Sequence, residues 1–314
     1  MLEIIRYTAD KAEEWNTFVK ESRNGTFLFI RDYMDYHANR FADHSIMFYN
    51  KGRLCALLPA NVEGDTLISH HGLTYGGIIV KMNATTQLII NLIQSLNQYL
   101  YSIRIKRVVY KAIPWIYHKY PSEEDLYAIH NICDAHITSR HISSAIFLPL
   151  RPGLTESRKS GLRKAISNDL TVQECTLSQF ENFWKILEHN LENKHHTKPV
   201  HTLEEVTLLA SRFPSEINLF AVFSKNEMVG GTLLYVTPQV IHTQYISASP
   251  KGKETGALDL LFHTLLQQDW HGANYFEFGR SSTGDGHELN SSLLFQKEGF
   301  GGRGIVYDCY EWTI

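Results

Sequence analysis

The residues with the most chemical content lie near the end of the chain, in YFEFGRSSTGDGHELNSSLLFQKEGFGGR over 275–303. The pattern predicts a short strand ending in Gly-Arg-Ser, a polar glycine-rich loop, a helix of about ten residues and a second glycine cluster at Gly299, Gly301 and Gly302. A strand that hands Arg280 and Ser281 to a loop, followed by a helix that returns Lys297 toward them, builds a cleft suited to an anion. Arg280 and Ser281 are therefore candidate substrate-binding residues, because a strand-end Arg beside a Gly-Ser loop has little structural reason to be there.

FGRS at 278–281 and FQKEGFGG at 295–302 resemble the closing motifs of the Fem-type branch of the GCN5-related acyltransferases. The resemblance extends upstream through VGGTLLYVTPQVIHTQYISAS at 229–249 to SRKSGLRKAISNDLTV at 157–172, so it covers most of 157–314. It implies an N-acyltransferase that moves an acyl group from acetyl-CoA or another acyl-CoA, or from an aminoacyl ester, to an amine of a small metabolite or cell-envelope precursor. An aminoacyl-tRNA-dependent, peptidoglycan-type aminoacyltransferase is the first alternative, with aminoacyl-tRNA as partner. A non-catalytic module that grips a nucleotide-sugar or a peptide is the second.

The resemblance also carries roles. Lys297 matches the Lys of the family's FK-x-x-F-G motif and is implied to meet the acyl oxyanion; a helix-end cap is the other reading of a cation at that place. A splayed gap between two central strands is implied to admit the donor, with backbone amides at the next helix start receiving its pyrophosphate. That place is 249–257, which makes Lys251, Gly252, Lys253, Gly256 and Ala257 the cofactor-binding candidates. The family's Gln/Arg-x-x-Gly-x-Gly/Ala pattern is only partly met, since Leu258 holds the final position and Ala257 comes one place early. Such a departure implies a looser coenzyme A site or adaptation to another donor, as Fem-type enzymes do with aminoacyl-tRNA.

The attacking amine must lose a proton. Alternation along 240–247 puts His242, Gln244 and Ile246 on one face and Thr243, Tyr245 and Ser247 on the other. His242 and Tyr245 are the acid–base candidates, Gln244 is a substrate-binding candidate, and both could serve one site only if the strand bends. Sixteen histidines raise the question of a metal, at His195-His196 with His201 and at His70-His71. Adjacent His side chains diverge and no HExxH or paired Cys completes a zinc site, so no metal is expected. His195, His196 and Lys198 are read instead as lining a substrate entrance.

Positioning these residues takes an α/β fold with a mixed sheet, and coarse patterning gives the same order of elements twice. The first pass predicts strands at 3–7, 45–49, 54–62, 66–70 and 107–112 and helices at 12–20, 31–40 and 85–102. The second predicts strands at 170–174, 218–223, 228–235, 240–247 and 275–278 and helices at 178–193, 203–212 and 257–270. Thr202 with Glu205 three residues on is a capping-box signature. Two tandem acyltransferase-like domains are the expectation, 1–150 on the acceptor side without a donor site and 151–314 with the donor site. The length of 314 residues agrees, since single cores stop growing near that size.

A basic helix is expected at 157–168, where Arg158, Lys159, Arg163 and Lys164, with Arg151 upstream, stand against only Glu156. It reads either as a solvated linker or as a phosphate clamp, with Arg163 and Lys164 as the binding candidates. A net charge of −3 gives no reason to expect DNA binding. No apolar run is long enough for a membrane span, the start of the chain does not read as a signal peptide, and four scattered cysteines show no disulfide framework. A cytoplasmic protein is the expectation. The first-half aromatics Tyr33, Tyr36, Tyr75, Trp115, Tyr117 and Tyr120 read as packing.

Overall fold

The computed structural model describes residues 2–314, except the side chains of Lys194 and His195. The fold is mixed α/β and consists of two compact units. One comprises the chain through Ile142 with Ser282–Leu289 and Val306–Ile314; the other comprises Ser143–Ser281 and Asn290–Ile305.

In the first unit, strand Ile46–Asn50 pairs antiparallel with both Leu2–Arg6 and Arg53–Leu58. A second series runs from Asn61–Glu63 to Thr66–Ile68, then in parallel to Arg107–Lys111, which pairs antiparallel with the last residues of the chain. The strand expected at 54–62 is interrupted at Pro59, which has no N–H to give to a ladder, and resumes at Asn61. Helix Thr86–Ser102 buries Ile89, Leu92, Ile93, Leu96 and Leu100, one stripe at helical spacing, and starts where Thr85 accepts from the Leu88 amide. The expected helix at 31–40 is only Arg31–Met34 followed by a single 3-10 turn. Helix Glu124–Cys133 and strands His136–Phe147 and Arg303–Thr313 are additional to the elements expected from the sequence pattern.

The second unit is a meander, Leu170–Cys175, Ile217–Ser224, Glu227–Val236 and Val240–Ala248, each antiparallel to its neighbour in the sheet. Strand Tyr275–Arg280 then joins parallel to Val240–Ala248, and residues 143–147 lie antiparallel on its other edge. Phe262, Phe276, Phe278 and Phe300 meet edge to face at the centre of this unit's core, with Phe278 and Phe300 stacked. The capping box is present: Thr202 Oγ1 accepts from the Glu205 amide at 3.2 Å while Glu205 accepts from the Thr202 amide at 2.9 Å. The basic segment is helix Glu156–Ser167, and its Gly161 lies so close to Gly256 that a Cβ on Gly256 would come within 2.3 Å of the Gly161 carbonyl oxygen.

Candidate functional site

Strands Val240–Ala248 and Tyr275–Arg280 pair only at Val240 with Tyr275, Ile241 with Phe276 and His242 with Glu277. Both then become irregular. Leu233 faces Tyr245 but Leu234 faces Thr243, which leaves Gln244 as the extra residue of a β-bulge. On the other strand the register slips between Glu277 and Arg280, around Gly279 at φ +76°. Parallel strands that stop pairing leave a gap, and a cavity of about 230 Å³ occupies it. Ile246, Ser247 and Ala248 line one side, Phe278 the other, and Lys297 and Phe300 reach in from helix Ser291–Gly299 and its end. The bulge corrects the simple alternation expected along 240–247, because the face of each side chain changes at Gln244.

The last paired rung holds the most unusual group of the molecule. Glu277 is fully buried and accepts from the Ser143 hydroxyl, from His242 Nδ1 and, at 2.9 Å, from the Gly279 amide. Burial pushes its carboxyl up, but His242, Ser143 and the charge of Lys297 outweigh that and hold it below the usual range. Lys297, 3% exposed, donates from Nζ to Gly279 O at 2.7 Å, Arg280 O at 2.8 Å and Ser281 Oγ at 2.9 Å. Those acceptors belong to the neighbouring strand end, not to the carbonyls of its own helix. Desolvation lowers its pKa to about 8, against the opposing pull of Glu277.

The remaining candidates spread along the gap and away from it. Tyr245 is bonded through its hydroxyl to His201, at 2.7 Å to Nδ1 and 3.3 Å from the backbone amide, and burial raises its pKa. Segment 249–257 is not an open loop. Ser249 caps a short helix, Pro250–Thr255, and takes up the amides of Gly252 and Lys253 through its hydroxyl and carbonyl. Gly252 is buried with no room for a Cβ, which would sit 2.0 Å from Val229 O. Gly256, left-handed at φ +79°, links this turn to helix Ala257–Gln267, and Ala257 is buried in the core. Lys251 pairs with exposed Glu227 at 2.6 Å, whereas Lys253 lines the cavity and donates to Asn190, which itself donates to Ser247 Oγ and Ala248 O.

In the basic helix, Arg158 pairs with Asp259 at 2.8 Å and lies over the Phe300 ring, and Lys159 pairs with Glu156. Arg163 and Lys164 are exposed, as is Arg280, whose carbonyl is the atom held by Lys297. Ser281 is buried against Lys297. His196 and Lys198 are exposed, and the side chain of His195 lies outside the described residues. Among the described residues no group of three His, Cys, Asp or Glu side chains is placed to hold a metal. Tyr33, Tyr75 and Tyr117 are buried in first-unit packing, while Trp115 and Tyr120 are exposed.

Sequence reasoning missed Glu277, Ser143 and Asn190. For Glu277 a signal existed: it sits between Phe276 and Phe278 in a strand buried on both faces, where an acid needs partners. Asn190 gave none beyond its place on an amphipathic helix.

Residues 156–287 match the family model described as an acetyltransferase (GNAT) domain. No curated protein matches the sequence. Among solved structures, FemX is similar over 99% of this chain and 97% of its own, with TM-score 0.69 at 11% identity. The C-terminal domain of a protein assigned as a lysylphosphatidylglycerol synthetase, from Agrobacterium fabrum, is similar over 96% and 91%, with TM-score 0.58 at 13% identity. A tandem GNAT protein from the clavulanic acid biosynthesis pathway covers 100% and 98%, with TM-score 0.53 at 9% identity.

Proposed function

We propose that this chain, whose residues 156–287 match an acetyltransferase (GNAT) domain and whose fold is similar to that of FemX and of a tandem GNAT protein, is an acyltransferase that transfers an acyl group to an amine at the gap of the second unit. The observation that carries this reading is an open strand gap that begins just beyond the His242–Glu277 rung, where Glu277 is buried, and that has a buried Lys297 in its cavity wall. A merely structural gap would have no use for two buried charges, which are costly unless paired or functional.

The cavity is smaller than the roughly 300–1,000 Å³ of ordinary ligand pockets, so it suits a narrow acyl end and its linker rather than a nucleotide. Lys253, held by Asn190 at the cavity wall, is placed to meet an anionic part of the donor. Lys297 exchanges one of its carbonyl or hydroxyl acceptors for the oxygen that becomes negative in the tetrahedral adduct, where a preorganised donor acts most strongly. Gly279, Arg280 and Ser281 hold the ammonium ready for that exchange. In this reading the first unit serves the acceptor, a small metabolite or cell-envelope precursor, and the protein works in the cytoplasm; among the described residues no helix is long and apolar enough to cross a membrane.

One observation favours an aminoacyl ester of tRNA over acyl-CoA as donor. The turn that would cradle a pyrophosphate has its Gly252 and Lys253 amides taken by Ser249, and the first turn of the following helix already holds the carboxylate of Asp259, paired with Arg158. The likeness to FemX and to the synthetase domain agrees with that donor class. Thermal-shift titration of the full chain with acetyl-CoA, CoA, charged tRNA and UDP-linked muropeptides tests the proposal. A ligand at a hundredfold excess over its Kd stabilises by about 2.7 kcal/mol. Stabilisation by acetyl-CoA selects the thioester, stabilisation by charged tRNA selects the ester, and silence from all of them overturns the assignment of the gap.

A further inference from the structure

We propose that Glu277 is a positioning residue that fixes His242 as the general base of the transfer, with Ser143 holding Glu277 in place. This rests on the acyl-transfer reading of the gap and adds to it the route of the proton.

The argument is geometric. Glu277 has no access to solvent and receives donors from Ser143, His242 and the Gly279 amide, so its carboxylate is immobilised from three directions. A carboxylate only accepts, so His242 presents Nδ1–H to it, and in the neutral ring Nε2 is then the nitrogen without a proton, the one able to take one. Nε2 makes no hydrogen bond among the described residues, and the imidazole keeps 13% of its side-chain surface exposed. The pair occupies the last rung before the strands separate, next to the left-handed Gly279 whose carbonyl is bound by Lys297. Thus the base and the oxyanion-stabilising cation are tied to the same short stretch of chain, 277–281.

Tyr245 is the competing candidate. Its hydroxyl is already engaged by His201, and it lies beyond the Gln244 bulge from the paired rung. Burial also keeps its phenol protonated. It cannot accept a proton without first losing one, whereas His242 can.

In the transfer, the lone pair of the neutral amine forms the new bond to the acyl carbon and the carbonyl π pair moves onto oxygen. The amine proton passes to His242 Nε2, and the imidazolium is stabilised by the ionised Glu277. Collapse of the adduct breaks the bond from carbon to the donor sulfur or oxygen, and that atom leaves with its electron pair and takes the proton from Nε2. Nothing is oxidised or reduced, and His242 and Glu277 return to their starting states.

The first test needs no substrate. In ¹⁵N-histidine-labelled full-length protein, His242 is expected as the Nδ1–H tautomer near neutral pH, and Glu277→Gln is expected to disturb it. An Nε2–H tautomer in the parent, or an unchanged ring spectrum in Glu277→Gln, overturns the proposal. Because Glu277→Gln is a buried change that can impair folding, Ser143→Ala serves as the milder second variant, expected to shift the same ring signals by less. With whichever donor the parent uses, His242→Gln is expected to lower kcat by about a hundredfold or more while donor affinity stays unchanged. Glu277→Gln should lower the same parameter by less. Parent-like kcat in His242→Gln refutes the base. A parent that transfers nothing from any donor refutes the acyl-transfer reading instead, and the ring spectrum still decides the geometry.

Discussion

Each unit contains a parallel strand pair three rungs long among the described residues, and the two pairs end differently. In the first unit Thr66, Leu67 and Ile68 pair with Arg107, Val108 and Val109, as Val240, Ile241 and His242 pair with Tyr275, Phe276 and Glu277 in the second. Past Ile68, however, the chain folds back over the strand end. The Ser69 amide donates to Val109 O, the Lys111 amide to Ser69 Oγ, the Gly76 amide to Lys111 O and the Ile78 amide to the Tyr110 hydroxyl. Gly76 has to be glycine, because a Cβ there would meet Ser69 O at 2.0 Å, and Gly77 adopts φ +99° against Tyr110. Tyr110 is fully buried and donates to Asp125, whose carboxyl burial pushes up to about 6. The first pair is closed by backbone and a tyrosine; beyond the His242–Glu277 rung the second opens into a cavity with Lys297 in its wall. One backbone plan thus gives packing or a site, depending on how the chain continues beyond the last rung.

The largest expected effect is at the open end. Lys297→Met should lower turnover by about a hundredfold to a thousandfold, the usual loss of one oxyanion donor, with donor affinity near that of the parent. Steady-state kinetics beside a binding titration check this; early melting with unchanged turnover per folded molecule would make Lys297 a structural residue. The same lysine leaves a mark on stability. Its folded pKa of about 8 lies below the ordinary 10.5, so the unfolded chain binds more protons across that window and stability should rise as pH rises from 8 to 10.5. The rise is on the order of 3 kcal/mol for a shift of this size, and Lys297→Met should abolish it in denaturant titrations.

The closed end should behave in the opposite sense. Tyr110→Phe removes the partner of the Ile78 amide and of Asp125 and should cost about 1–3 kcal/mol of stability, with donor affinity unchanged. A weakened donor would place the site in the wrong unit. Smaller still, Gly279→Ala has room for its Cβ, 3.7 Å from the His242 ring, so only the left-handed backbone opposes it, at about 1–2 kcal/mol. A loss well beyond that in thermal unfolding would mean that steric contact, not backbone conformation, sets the demand for glycine. The smallest effect is expected for Arg163→Ala with Lys164→Ala, both exposed. They should flatten the salt dependence of a polyanionic donor, and identical salt curves would make helix Glu156–Ser167 a solvated linker.

How much of this the sequence disclosed depends on how local each cause is. The Thr202–Glu205 capping box and the Thr86–Ser102 stripe are written within one or two helical turns, and both are present as expected. Lys297 was legible through its motif and through the helix expected to return it toward Arg280 and Ser281, to which it does donate. The short helix Pro250–Thr255 is also legible in principle: Ser249-Pro250 is a helix start, with proline at the first position, but the lysines and glycines around it resemble a loop. The Ser143–Glu277 contact joins residues 134 apart in sequence, and Arg158–Asp259 joins residues 101 apart. No window on the sequence contains such pairs, and a division at 150 would have separated Ser143 from Glu277. The Gln244 bulge was invisible for another reason, since an inserted residue changes the register without changing the residue types.

The central claim is that the donor enters the gap of the second unit and not the closed strand end of the first. Calorimetric titration of Leu293→Trp, a half-buried position lining the cavity, against the parent tests it most directly, with acetyl-CoA and with an aminoacyl-tRNA as separate ligands. The account predicts a single donor per parent chain, and loss of that binding in Leu293→Trp with the melting temperature preserved. Parent-like affinity in the filled variant, or two donors per chain in the parent, would contradict it.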